Sequence, residues 1–173
     1  MNTQLPNILS SLEANIEALE TLRTAVTTTE RPDKLPLSQI ELKEDVFQAR
    51  LEAPSERHLT ELSRALASSE DLDPIVVVPI ADRFMLIDGH HRHEVYSRAG
   101  RDEIPVRYFT GNIKQAVLES AKFNSLAKLQ MSSQQRQNCA WKFELTGLYS
   151  KSEIAKAASV SSSQVGIMRR AKK

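Results

Sequence analysis

Residues 74–100, PIVVVPIADRFMLIDGHHRHEVYSRAG, constrain the fold more than any other stretch of the chain. The β-branched run from Pro74 to Pro79 has the composition of a buried strand, and Arg83 to Ile87 reads as a second one. Ala81-Asp82 is the expected turn between them. At Asp88-Gly89 the pattern changes from strand to helix. His90 to Ala99 has helical spacing, and Gly100 is its expected C-terminal stop. A strand pair that feeds a helix through one glycine is a mixed α/β arrangement.

The flanking sequence extends that block. Leu37–Leu42 and Ile104–Phe109 read as further short strands. Residues 55–69 place Leu59, Leu62, Leu66 and Ala67 on one helical face. Residues 36–111 are therefore expected to form a small α/β domain. Residues 112–173 are expected to be all helix. Asn112-x-x-Gln115, Ser132-x-x-Gln135, Ser150-x-x-Glu153 and Ser161-x-x-Gln164 each have the pattern of a capped helix start, and Gly147 that of a helix end. The fold class expected is α+β. Residues 1–30 form a separate N-terminal segment. There Leu5, Ile8, Leu12, Leu19, Leu22 and Val26 keep a 3-4 spacing if Asn15 takes a core place. Such a helix can pair with a second copy of itself, as a coiled coil with one polar core residue does, or lie on its own chain. TTTERPDKLP, residues 27–36, reads as a linker.

Charge divides the chain unevenly. Residues 1–127 carry 14 Lys/Arg and 20 Asp/Glu, a net of −6, whereas residues 128–173 carry 9 and 2, a net of +7. A basic end on an acidic body suits a polyanionic partner. No run reaches the ~18 apolar residues of a membrane span, and the N-terminus lacks the basic and apolar blocks of a secretion signal. No membrane partner is expected. The one cysteine, Cys139, excludes an internal disulfide framework and fits a reducing cytoplasm. It is expected to be a buried small apolar residue.

The basic end has an order of its own. In SKSEIAKAASVSSSQVGIMRR, 150–170, Ile154, Ala155 and Ala158 form one inner face, and Val165 and Met168 another, with Val160 in the turn. Small Ala155 permits the close crossing of a helix–turn–helix. The second helix would then present Ser161, Ser162, Ser163 and Gln164 to base edges in double-stranded DNA. Arg169, Arg170, Lys172 and Lys173 would lie along phosphates. This helix is nearly the last thing in the sequence, and whether the chain is a natural full length or a fragment is left open.

Three of the four histidines sit at the strand-to-helix corner. A zinc site is not expected there. Successive helical residues diverge by about 100°, so His90, His91 and His93 do not converge on one ion, and no cysteine accompanies them. An anion site fits better, because Gly89 permits a tight turn and the helix start offers N–H groups beside His91 and Arg92. The alternative is that the histidines lie at the surface and Arg92 pairs with Asp88.

Asp88-Gly-His-His-Arg-His-Glu94 resembles the signature of the ParB/sulfiredoxin-like fold, where ParB partition proteins carry Gly-Glu-Arg-Arg-x-Arg-Ala and many relatives carry Asp-Gly-x-His-Arg. Gln48-Ala-Arg50, DPIVVVPIADRFMLIDG and ESAKFNSLAKLQMSSQQRQNCA resemble neighbouring family segments in the same order, so the likeness covers about residues 36–170. It implies a ParB-like DNA-binding protein, many of whose relatives bind CTP and Mg²⁺ at this corner as a dimeric clamp. Carried over, Gly89, His90, His91 and Arg92 contact nucleotide phosphates, and Asn124 lies where the family's metal-binding segment does. The departures are His90 for the family's Glu, Glu94 for its last Arg, Val95 for its Ala and Asn124-Ser125 for its Glu-Asn pair. Sulfiredoxins have a cysteine where this chain has His90, so their thiol chemistry is excluded.

These readings converge on a cytoplasmic, dimeric partition or transcription regulator of a plasmid, phage or mobile element, gated by CTP and serving a partner protein. The alternative is a nucleotide-dependent enzyme, a CTPase, small-molecule kinase or nuclease, with Glu94 or Asp88 as its base.

Overall fold

The computed structural model describes residues 5–25, 30–47, 55–126 and 131–172, without the side chains of 5–11, 25, 125 and 126. Gln48, Arg50, Val26 and Lys173, each singled out above, lie outside this description, as do the side chains of Leu5, Ile8 and Ser125. The chain divides into two compact units.

One unit comprises 21–43 and 51–111. Its strands are β1 (Lys34–Pro36), β2 (Ile40–Glu41), β3 (Ile75–Ile80), β4 (Arg83–Asp88) and β5 (Glu103–Tyr108), in the sheet order β1-β5-β3-β4-β2. β3 and β4 form the expected hairpin, with Ala81 at a positive φ of 55° in its turn. β3 is central and buried on both faces, as its β-branched run demands. The expected single strand over 37–42 is instead split. Pro36 ends β1, a 3₁₀ turn over Leu37–Gln39 follows, and β2 begins on the opposite edge of the sheet. The sequence carries no sign of this because each half is fixed by its partner, β1 by β5 and β2 by β4. Four Cα steps span at most about 14 Å, whereas a flat sheet would hold its two edges about 19 Å apart. The sheet therefore curls.

The helices α1 (Leu5–Ala25) and α2 (Glu44–Phe47) belong mainly to the other unit; the curled sheet carries α3 (Glu56–Ser68) and α4 (His90–Arg98). Leu59, Leu66, Val95 and Tyr96 join Ile75, Val77, Leu86 and Ile104 in one core. Leu62 is partly buried, but Ala67, expected inside, is exposed. The Tyr96 hydroxyl accepts from Leu72 N–H at 2.6 Å, and Arg98 pairs with Glu94 and Glu56, tying α4 to α3.

The other unit comprises 1–20, 44–50 and 112–173. It holds α1 (Leu5–Ala25, counted here to Glu20), a single-turn α2 (Glu44–Phe47), α5 (Ile113–Leu126), α6 (Ser133–Thr146), α7 (Lys151–Ala158) and α8 (Ser162–Ala171). The compact units thus differ from the expected segments, since 1–20 and 44–50 group with the C-terminal helices. On α1 the buried positions are Leu12, Ile16 and Leu19. Asn15 instead donates to Asp45 Oδ2 at 2.9 Å, and Leu22 is exposed. An apolar face that includes Ile16 is what a helix lying on its own chain needs. A small apolar hollow is lined by Leu12, Val46, Phe47, Val117, Cys139 and Phe143. Asn112–Gln115, Ser132–Gln135 and Ser150–Glu153 close as reciprocal capping boxes, and Gly147 ends α6 with φ 72°. Cys139 is buried, and burial pushes its thiol up to about 12. No helix among the described residues is long and apolar enough to cross a membrane.

Candidate functional site

The corner after β4 is built on Gly89. It caps α4 with φ 103°, and a Cβ there would lie 2.6 Å from Ile75 Cγ2, inside the core. Glycine is therefore required by the fold itself, through both its φ and the contact with β3. His93 N–H donates to Gly89 O at 2.8 Å, which leaves the backbone of His90, His91 and Arg92 as the first turn of α4.

Arg92 is engaged within the protein. Its Nη2 donates to Asp88 Oδ2 at 2.7 Å, and its Nη1 donates to the Asp73 and Pro74 carbonyls at 2.9 and 2.6 Å. The side chain thus ties the start of β3 to the end of β4. His91 packs edge-on against His58 with ring centroids 5.0 Å apart. His90 and His93 are half-buried, and the Nε2 atom of each is buried without a hydrogen-bond partner. Burial, assisted by His91 and His93, pushes His90 down to about 4, and burial lowers His93 as well. Both rings are neutral at pH 7. Glu94 is held by Arg98 Nε at 2.8 Å and Asp88 by Arg92, so each carboxylate proposed as a base is bound in an ion pair.

The corner therefore matches a phosphate in donor type but not in charge. It offers imidazoles and helix N–H groups, while its one guanidinium is already neutralised by Asp88. Among the described residues no three of His, Cys, Asp and Glu come together as they would around a metal ion. Asn124, carried over as part of a metal segment, belongs to the other compact unit, where its amide donates to Ser120 O at 2.8 Å.

The second candidate surface lies on α7 and α8, joined through Ser159, Val160 and Ser161. Ser159 adopts the left-handed conformation (φ 52°) that ends α7. Ser161 caps α8, its Oγ accepting from Gln164 N–H at 3.1 Å. Ile154, Ala155, Ala158 and Val165 are buried as expected, Ala157 joins them, and Met168 is half-buried. Ser161, Ser162 and Ser163 are exposed, and Gln164 is half-buried.

The arginines separate. Arg169 Nε and Nη2 each donate at 2.9 Å to the carboxylate of Glu144, which is only 4% exposed. Lys172 Nζ donates to the Glu144 and Leu145 carbonyls at the end of α6. Both residues, expected on phosphates, are exposed and hold α8 to α6. Arg170 is exposed, as are Lys151 and Lys156 on α7. Two features escaped the sequence reading. Lys151 Nζ and Arg170 Nη1 gather over Gly166, 3.1 and 3.9 Å from where a Cβ would be. Ile167 is 58% exposed. Helical arithmetic could have found the second, because position 167 is about 200° around the helix from buried Val165.

Comparison with known proteins adds three findings. The ParB N-terminal domain family pattern matches residues 21–131. A Streptomyces griseus protein described as a possible regulatory protein of the streptomycin biosynthesis operon is 35% identical over 104 residues, 60% of this chain and 29% of that protein. The chain thus spans under a third of that relative's length. Among solved structures, the ParB-N domain of a Pnob8-like protein has a TM-score of 0.56 at 13% identity, over 83% of this chain and 70% of that one. C-terminally truncated ParB from Caulobacter crescentus, complexed to the centromeric parS site, has a TM-score of 0.52 at 20% identity, over 82% and 71%.

Proposed function

This chain belongs to the ParB N-terminal domain family, and from that premise we propose that it is a DNA-binding regulator whose α7–α8 pair acts as a helix–turn–helix on double-stranded DNA. One observation carries the reading. The second helix of a tightly joined pair buries Val165, is tied to α6 through Arg169 and Glu144, and leaves its serine-rich first turn exposed. That is the arrangement in which a recognition helix enters a major groove. Ser162 and Ser163 are placed to meet base edges, and Ser161 and Gln164 set the helix start. The Caulobacter protein was solved on its parS site, and the Streptomyces relative is described as a possible regulatory protein, which supports regulation through DNA; a cytoplasmic setting is part of the same proposal. A dimer reading two half-sites completes this proposal. Plasmid, phage or partition context and a partner protein rest on the resemblance alone.

The test is retention of duplexes from a random pool, followed by affinity against salt. Lys151, Lys156 and Arg170 give an expected slope of log K against log salt of about −3 per copy. Retention of no duplex, or binding indifferent to salt, refutes the proposal.

A second reading keeps CTP at the corner, with Gly89, His90, His91 and Arg92 around its phosphates. The observation that favours it is the pair of buried, unpartnered Nε2 atoms on His90 and His93. Because Arg92 is bound to Asp88, a triphosphate would have to displace that carboxylate. CTP titration of the wild type and of Asp88→Asn is the test. On this reading the variant binds CTP more tightly, and absence of binding by both removes CTP from the account.

A further inference from the structure

We propose that Ile167 is a specificity-determining residue that packs on the 5-methyl group of a thymine in the major groove. This rests on the DNA reading above and adds to it a base and the side chain that selects it. Ile167 lies one turn after Ser163 and one turn before Arg170, all three exposed on α8. Gly166 beside it has no side chain, and the Lys151 and Arg170 head groups converge over that bare backbone. No acidic residue occurs on α8. The helical neighbours of this apolar side chain, at 163, 164, 170 and 171, are Ser, Gln, Arg and Ala.

That setting selects the occupant. A protein partner or second copy would need a contiguous apolar patch. Among the described residues of its own compact unit, Ile167 is the one exposed large apolar side chain. A duplex matches the pattern, since phosphates meet the cations and the thymine methyl is the apolar feature of the major-groove edge. Replacing thymine by deoxyuridine removes that methyl and keeps every hydrogen-bonding group.

The experiment selects a site from a random duplex pool with the wild-type protein, then replaces each thymine singly by deoxyuridine. Wild type is expected to lose about fourfold in affinity at one thymine, the value of one buried methyl group. Ile167→Ala should bind the thymine and deoxyuridine duplexes alike. Arg170→Ala should weaken both equally and keep the fourfold ratio. Ile167 is exposed, so the alanine variant should melt as the wild type does. Wild-type binding indifferent to every replacement, or a ratio that persists in Ile167→Ala, overturns the role of Ile167 while leaving the DNA reading intact. Recovery of no duplex overturns both.

Discussion

Gly89→Ala tests why the corner is built as it is. At φ 103° a Cβ is strained whatever surrounds it, at about 1–2 kcal/mol. The added methyl would also stand 2.6 Å from Ile75 Cγ2 and 3.0 Å from Ile75 Cβ, in a side chain with no exposed surface. Forcing extra volume into a packed core costs about 1–3 kcal/mol. The expected total is about 2–5 kcal/mol, or roughly 4–20 °C in Tm at 2–4 °C per kcal/mol for a chain of this size. Gly100→Ala is the control. It has φ 65° but no heavy atom within 4 Å of the new Cβ, so only the backbone cost of about 1–2 kcal/mol applies.

Urea denaturation of both variants, with Ile75→Ala and the double variant Gly89→Ala/Ile75→Ala, separates the two effects. Removing Cγ2 relieves the closer contact, so the double variant should be more stable than the sum of the singles by about 1 kcal/mol or more. Equal losses for Gly89→Ala and Gly100→Ala, together with strict additivity, would refute the packing argument. The signature glycine would then have to be explained by a ligand approaching the backbone.

Other expectations follow from single contacts. Cys139, buried and with its thiol pushed up to about 12, should resist iodoacetamide in the native protein and react on unfolding in urea. Ser150→Ala removes half of a capping box and should cost about 0.5–2 kcal/mol, seen as a lower urea midpoint. His90 titrates at about 4 when folded against 6.5 when exposed, so between those values the unfolded chain binds the extra proton. Its contribution is intact above pH 6.5 and is lost as pH falls towards 4, by roughly 3 kcal/mol in all. His90→Asn should flatten that stretch of the stability–pH curve.

What the sequence made legible is what depends on a few neighbouring residues. Capping boxes at Asn112, Ser132 and Ser150 are local hydrogen-bond exchanges, and each formed where its pattern stood. The β3–β4 hairpin was legible because β-branched composition and a two-residue turn coincide. The division of 37–42 into a 3₁₀ turn and an edge strand was not, because it depends on which distant strand each half meets. On α1 the heptad spacing placed Asn15 inside, yet Ile16 took that place, since the face of a helix is chosen by the surface it lies on.

The same distinction governs the candidate sites, and charge shows it best. Nine cations between 128 and 173 gave the basic end its net of +7, but a charge count does not say which cations face solvent. Arg136 donates to Met131 O, Lys142 is half-buried and donates to Asp45 O, Arg169 is bound by Glu144, and Lys172 sits on the end of α6. Lys128 and Lys173 lie outside the described residues. Lys151, Lys156 and Arg170 remain as the exposed cations on α7 and α8 that, among the described residues, are not bound to a carboxylate or carbonyl as Arg169 is. The other four stabilise the helical unit that presents them. At the corner Arg92 repeats the pattern, because the residue expected to hold a phosphate ties two strand ends together. A basic residue in a signature can thus be needed for the fold before it is needed for a ligand. Conversely Ile167, absent from any charge or motif argument, becomes notable only once Val165 fixes which side of α8 is inside.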